Sequence, residues 1–160
     1  MLAIRIDVAA QSLEVIGPDG AVIRRYAVST AGAGVGERRG SLRTPRGRHV
    51  IRARIGAGQP PNAVFAGRRP TGEIYGEALA RAHPGRDWIL TRILWLSGTE
   101  RGRNRLGEVD TMRRYIYIHG APDDVGMGKP GSHGCIRMRN ADVIELFDLV
   151  RAGTPVEIVG

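Results

Sequence analysis

The chain has 160 residues, of which 42% are hydrophobic and 25% are charged. This length suits one domain with a sizeable core, and this composition excludes a disordered chain. The formal charge of +8 raises the question of nucleic-acid binding, but only 5% of the residues are aromatic and no nucleic-acid-binding motif is present, so we predict no nucleic-acid partner. The positive charge suits adsorption to an anionic polymer, or keeps the protein soluble.

The first third of the chain predicts strands. Residues 1–5 lead directly into an alternating pattern with no basic head and no long apolar core, so we expect neither a signal peptide nor a transmembrane segment. Residues 4–28 alternate apolar and polar positions around a Gly-Pro-Asp-Gly turn at 17–20, which predicts a β-hairpin. Residues 30–47 are rich in glycine and arginine and predict a loop, with a short strand following at 49–55.

The middle of the chain is less periodic. Residues 56–86 contain several proline clusters and predict a long loop with a short helix at 77–81; long loops inside compact domains are often functional. Residues 87–96, DWILTRILWL, form an apolar, β-prone run that predicts a central strand with both tryptophans in the core. Residues 97–110 are polar and predict a solvated loop.

The last third predicts a helix and a strand. Asn140 suits a helix N-cap, and apolar residues then recur with helical spacing at Val143, Leu146, Phe147 and Val150. The helix is expected to pack on the sheet and to end at Gly153, before a final strand at 155–159. We therefore predict one mostly β domain over residues 1–160, a sandwich or mixed sheet with one or two helices, and we expect a monomer.

The segment 115–140 holds the only cysteine, Cys135, and two of the four histidines. A free thiol has a pKa of roughly 8.5 and is mostly protonated at neutral pH, so a nucleophilic cysteine needs a base beside it. His119 ends an alternating run and would come from a separate strand, which suits a general base. His133 lies two residues before Cys135 and would point to the same side, so we predict that it positions the substrate.

Neighbouring residues complete the predicted site. Gly120 would let the backbone turn sharply, and a main-chain carbonyl there would fix the tautomer of the His119 imidazole. Gly134 lacks a Cβ, so its amide and that of Cys135 can point at a developing oxyanion. The guanidinium of Arg137 suits a carboxylate of a peptide substrate.

Two other interpretations of these residues are available. The cysteine could simply be a small buried hydrophobic residue. Alternatively, His119, His133 and Cys135 could be three zinc ligands, although no Cys-x-x-Cys spacing and no fourth ligand accompany them. The Ser-His-Gly sequence before the cysteine favours the catalytic interpretation, and we predict no metal and no other cofactor.

The motif resembles that of a known family. His119-Gly120, a spacer and then Ser-His-Gly-Cys-x-Arg-x-x-Asn over 132–140 resemble the L,D-transpeptidase catalytic domain, or YkuD domain, of bacterial peptidoglycan enzymes. The resemblance extends to the strands at 4–15 and to the Thr-Pro-Arg-Gly turn at 44–47. His49 departs from it, because an aromatic or other apolar residue is expected to close that turn.

This resemblance implies a reaction. The thiolate of Cys135 would attack the carbonyl between the third and fourth residues of a peptidoglycan tetrapeptide stem, release D-alanine and form a thioester. An amine of a neighbouring stem would then accept the acyl group in a 3-3 cross-link. Ser132 and Arg137 would orient the site and the substrate, and the segment 56–86 would form part of a lid.

The resemblance also implies a periplasmic or cell-envelope location. The predicted absence of a signal peptide conflicts with this, so a cytoplasmic location or another export route stays open. Three other functions also stay open: an L,D-carboxypeptidase of the same fold, a secreted antibacterial effector and a noncatalytic cell-wall-binding module.

Overall fold

Alternating apolar side chains build the first three strands. In β1 (Ala3–Asp7) Ile4 and Ile6 are buried, and in β2 (Ser12–Ile16) Leu13 and Val15 are buried, so each strand turns one face to the core. The predicted turn at 17–20 joins β2 to β3 (Val22–Ala27). A second turn after Asp7 gives three antiparallel strands where one hairpin was predicted.

The computed structural model describes all 160 residues. Ten strands form one mixed sheet, accompanied by two α-helices and two short 3-10 helices, which confirms the predicted mostly β fold class. The remaining elements are β4 (Gly47–Ile55), β5 (Ala63–Ala66), β6 (Arg69–Ile74), α1 (Glu77–Ala82), β7 (Ile89–Gly98), β8 (Tyr117–Gly120), β9 (Ile136–Met138), α2 (Asn140–Leu149) and β10 (Pro155–Val159).

The strand order is β3-β2-β1-β10-β4-β7-β5-β6, and β8 branches from β7 to pair with β9. The β1–β10 and β8–β9 pairs are parallel, and the other pairs are antiparallel. Strand β7 hydrogen-bonds to β4, β5 and β8, so the predicted central strand is indeed central. It therefore connects the main sheet to the two-stranded branch that carries the motif.

The prediction of a long loop over residues 56–86 is wrong. Strands β5 and β6 form a hairpin, and α1 follows where the short helix was predicted. Gly67 and Arg68 both have positive φ angles, +55° and +64°, as in a two-residue hairpin turn whose twist matches that of its strands. Pro70 and Gly72 interrupt the alternation in β6, which hides this strand in the sequence.

Helix α2 packs on the sheet through Val143, Leu146 and Phe147, in agreement with the predicted apolar stripe. Its N-cap is Arg139, so the N-cap role predicted for Asn140 is wrong. The side chain of Asn140 is instead buried against β7 and β8. No helix of the chain is both long enough and apolar enough to cross a membrane.

Candidate active site

The parallel pairing of β8 with β9 brings the motif residues together. His119 lies opposite Arg137, and Ile118 lies opposite Ile136. Because alternate residues of a strand share a face, Cys135 continues the Arg137 face while Tyr117 continues the His119 face. All four side chains consequently line one cavity of about 420 Å³.

Positive charge dominates the wall of this cavity. Its lining includes three arginines, Arg68, Arg114 and Arg137, and a single carboxylate, Asp87. The other lining residues are Gly67, Ile89, Tyr115, Ile116, Tyr117, His119, Ser132, His133 and Cys135. An anionic ligand is therefore favoured in this cavity.

The thiol of Cys135 is neutral at rest. Its Sγ accepts a hydrogen bond from the N–H of Tyr117 at 3.3 Å and donates to the carbonyl of Tyr115 at 3.4 Å. Burial raises the pKa of Cys135 to about 12, against a smaller lowering by the Tyr117 N–H. The resting site therefore holds almost no thiolate at neutral pH.

The imidazole of His119 is fully enclosed and is oriented by the main chain. Its Nδ1–H donates to the carbonyl of Gly120 at 2.6 Å, which leaves Nε2 as the unprotonated nitrogen. Burial is the largest effect on the pKa of His119 and lowers it from the ordinary value of 6.5. A neutral imidazole with a free Nε2 can accept a proton from the thiol, although no hydrogen bond joins the two residues at rest.

Gly120 lies where the surrounding atoms leave no room for a side chain. Its backbone lies in β8 without a positive φ, so the sharp turn predicted there is wrong. A Cβ at this position would lie 2.7 Å from the carbonyl oxygen of Leu90 and would overlap Oδ1 of Asn140. The glycine therefore lets β8 lie tightly between β7 and the side chain of Asn140.

The loop before Cys135 is held by internal hydrogen bonds. The Gly134 N–H donates to Oγ of Ser132 at 3.2 Å, and that hydroxyl donates to the carbonyl of Cys135 at 2.5 Å. The hydroxyl of Thr44 donates to the carbonyl of Gly134 at 2.9 Å. Of the two amides predicted for the oxyanion, that of Gly134 is thus occupied, and that of Cys135 donates to no group of the protein.

Gly134 has a φ of +129°, a conformation that favours glycine. A Cβ there would also lie 3.1 Å from Cδ1 of Ile116 and 3.3 Å from the carbonyl of Arg43. The close approach behind this glycine is thus to the protein's own backbone.

The remaining predicted residues lie at the rim. His133 is exposed and forms no hydrogen bond with the protein. Arg137 donates to Asp87 at 3.2 Å and to the carbonyl of Gly131 at 3.3 Å. His119, His133 and Cys135 line the same cavity but do not form a group that could hold a metal ion, so the geometry gives no support to the zinc interpretation.

Comparison with known proteins identifies the family of this chain. The family model of the L,D-transpeptidase catalytic domain, YkuD, matches residues 2–158. The chain belongs to this family. Among curated L,D-transpeptidases, YkuD of Bacillus subtilis is 48% identical over 46 residues, which are 29% of this chain and 28% of the relative. YbiS of Escherichia coli K12 is 44% identical over 46 residues, or 29% of this chain and 15% of the relative.

Solved structures share the fold. An L,D-transpeptidase from Mycobacterium smegmatis superposes with a TM-score of 0.58 at 20% sequence identity, covering 99% of this chain and 58% of that one. The present chain therefore spans little more than half the length of that protein. At this level of identity the similarity concerns the fold of the L,D-transpeptidase domain.

One residue of this L,D-transpeptidase domain was missed as a site residue. The amide of Asn140 accepts from Oγ1 of Thr91 at 2.6 Å and donates to Oδ1 of Asn62 at 3.0 Å. Thr91 is buried with a φ of +75°, at an irregularity of β7. Because Oδ1 of Asn140 lies against Gly120, this network supports the backbone whose carbonyl orients His119.

Replacing Asn140 by alanine is expected to lower the free energy of unfolding by about 2 kcal/mol, because the Thr91 hydroxyl loses its acceptor and a cavity opens. If Cys135 is the nucleophile that the motif predicts, the looser Gly120 carbonyl should also slow its acylation about tenfold. Denaturant unfolding and the rate of acyl-enzyme formation measure the two effects. Arg139→Ala, at the exposed N-cap, is the control, and equal acylation rates in both variants would contradict the positioning role.

Proposed function

We propose that this chain is a cysteine-dependent L,D-transpeptidase that acts on peptidoglycan stem peptides. The main observation in support is the arrangement of Cys135 and His119 in one cavity, with Nδ1 of the imidazole bound to the Gly120 carbonyl. This arrangement leaves Nε2 of His119 as the unprotonated nitrogen, which can accept the thiol proton. The family and the Ser-His-Gly-Cys motif point to the same chemistry.

Acylation begins with a neutral thiol and a neutral imidazole. When the donor stem fills the cavity, the Cys135 proton passes to Nε2 of His119 and Sγ attacks the carbonyl between the third and fourth residues. The Cys135 N–H, which is free in the resting site, donates to the developing oxyanion. His119 then returns the proton to the departing nitrogen, so D-alanine leaves and a thioester remains.

Deacylation uses the same base. The amine of an acceptor stem attacks the thioester while His119 removes its proton, and the sulfur leaves to regain that proton. The product is an amide that links the two stems, and Cys135 returns to the thiol. Water in place of the amine would give a tripeptide, which is the carboxypeptidase reaction.

The surrounding residues support these steps. Ser132 holds the loop that carries Cys135, and Arg137 presents a cation that Asp87 keeps in place. The exposed imidazole of His133 is free to contact the donor stem. A substrate of this kind favours a location at the cell envelope, and a cytoplasmic location or another export route stays open.

The test is to incubate the protein with disaccharide tetrapeptide stems and follow enzyme and products by intact-mass spectrometry. We expect release of D-alanine, a mass increase on Cys135 equal to the acyl group, and cross-linked dimers. Tripeptide without dimers would favour the carboxypeptidase. Cys135→Ala is the control: if wild type and this variant both bind stems and neither releases D-alanine, the wall-binding alternative is favoured.

A further inference from the structure

Arg68, at the tip of the β5–β6 hairpin, lines the cavity that also holds Cys135. Its guanidinium lies 4.7 Å from the ring centroid of Trp95 and 4.8 Å from that of Tyr115. One N–H donates to the hydroxyl of Tyr117 at 3.1 Å. Since the backbone N–H of Tyr117 contacts the sulfur of Cys135, a single tyrosine separates this guanidinium from the nucleophile.

The other two arginines of the cavity are already occupied. Arg137 is bound to Asp87. Arg114 donates to main-chain carbonyls of the loop 36–43, including that of Arg43 at 2.6 Å. Arg68 has no carboxylate partner and binds no carbonyl. It is therefore the one arginine of this cavity that has neither a carboxylate nor a carbonyl partner.

The contacts of Arg68 restrict its guanidinium and use only one of its donors. Aromatic contacts at Trp95 and Tyr115 restrict the guanidinium, which has five N–H donors in a rigid fork. One donor is used by Tyr117, so others remain for the paired oxygens of a carboxylate. A restricted guanidinium loses little entropy when it binds such a group.

From this geometry we infer that Arg68 and the Tyr117 hydroxyl form a subsite for a carboxylate, namely the free carboxyl terminus of the donor stem. This inference rests on the proposed function, which places the scissile carbonyl at Sγ of Cys135. The proposed reaction removes the last residue of the donor stem. The terminal carboxylate of the donor therefore lies one residue beyond the scissile carbonyl. Arg68 would thus select donors that end at the leaving residue.

Binding measured without turnover gives the decisive test. In the Cys135→Ala background, the affinity for a tetrapeptide stem with a free carboxyl terminus is compared, by calorimetry, with the affinity for the same stem ending in an amide. We expect Arg68→Gln to weaken binding of the carboxylate form about tenfold to a hundredfold, as for loss of a charge-assisted hydrogen-bond pair. Binding of the amide form should be unchanged.

Two further variants separate recognition from structure. Arg69→Gln changes an adjacent exposed arginine outside the cavity and should leave both affinities unchanged. Arg68→Lys keeps the charge but not the fork and should restore only part of the preference. Equal weakening of both stems by Arg68→Gln would show a purely structural role and overturn the subsite.

A third stem, amidated at its internal glutamyl carboxylate, identifies the group that is bound. If the effect of Arg68→Gln disappears with this stem and persists with the terminal amide, the assignment to the carboxyl terminus is overturned. Turnover of the same stems by the Cys135 enzyme is measured in parallel. A carboxylate preference in binding without any release of D-alanine would overturn the proposed reaction while retaining the subsite.

Discussion

Replacing His119 by glutamine is expected to slow acylation of Cys135 by a donor stem about a thousandfold, the usual contribution of a positioned general base. Burial raises the pKa of Cys135 to about 12, so the resting thiol is protonated at pH 7. In the proposed mechanism Nε2 of His119 supplies the missing proton acceptor, and glutamine cannot. The rate of acyl-enzyme formation, followed by intact mass in single turnovers, measures the loss.

The pH dependence of acylation provides an independent check on the His119 variant. Burial lowers the pKa of His119 below 6.5, so the wild-type rate should fall on acidification only below that pH. Without the imidazole, the rate should instead rise tenfold per pH unit well above neutrality, because it follows the thiolate.

His133→Gln is the matched control for His119→Gln, since this exposed imidazole lines the same cavity. We expect it to change substrate affinity more than the rate of acylation. A loss of acylation that appears in His133→Gln and not in His119→Gln would assign the base to His133.

The structure of the motif segment could be predicted because its pattern lies within one short stretch of sequence. An alternating run predicts a strand, and a strand that ends in histidine predicts where an imidazole points; β8 ends one residue after His119. The final strand, β10, has the predicted bounds because its apolar residues alternate without a break. The predicted strand therefore placed His119 correctly, and the fold brings it into the same cavity as Cys135.

The roles of Asn140 and Arg68 could not be predicted, because they depend on contacts between segments that are distant in the sequence. Asn140 suits an N-cap by its local sequence, yet Thr91 and Asn62 hold its side chain away from the helix end. Arg68 is one of many arginines in the chain, and only the folded hairpin places it beside Tyr117. No local pattern records such partners, because they are set by the register of strands far apart in sequence.

His49 shows how such a partner changes the interpretation of one residue. An apolar residue was expected to close the predicted turn at this position, and His49 takes that place as a buried, neutral side chain. Its Nδ1–H donates to the carbonyl of Gly47 at 3.0 Å, and its Nε2 accepts from the hydroxyl of Thr111 at 3.0 Å. Burial lowers the pKa of His49 from 6.5 to about 4, the largest of the effects on it.

Acidification should therefore destabilise the fold through His49. Below pH 6.5 the unfolded chain binds a proton at this histidine that the native state does not bind until about pH 4. Above pH 6.5 His49 costs the fold no unfolding free energy by protonation. As the pH falls below 6.5 the free energy of unfolding decreases, and this loss reaches about 3 kcal/mol at pH 4. His119, whose pKa is also lowered by burial, acts in the same direction.

The variant His49→Gln isolates this contribution from that of the carboxylates, which titrate in both proteins. At pH 7 glutamine should cost about 1 to 2 kcal/mol, because it replaces the Thr111 contact imperfectly. Glutamine does not bind a proton in the unfolded chain at pH 4. The free energy of unfolding of the variant in guanidinium chloride should therefore equal or exceed that of the wild type at this pH. His83→Gln, an exposed control, should leave the wild-type pH dependence unchanged. If the gap between wild type and His49→Gln stays constant from pH 7 to pH 4, His49 is not held neutral by its burial.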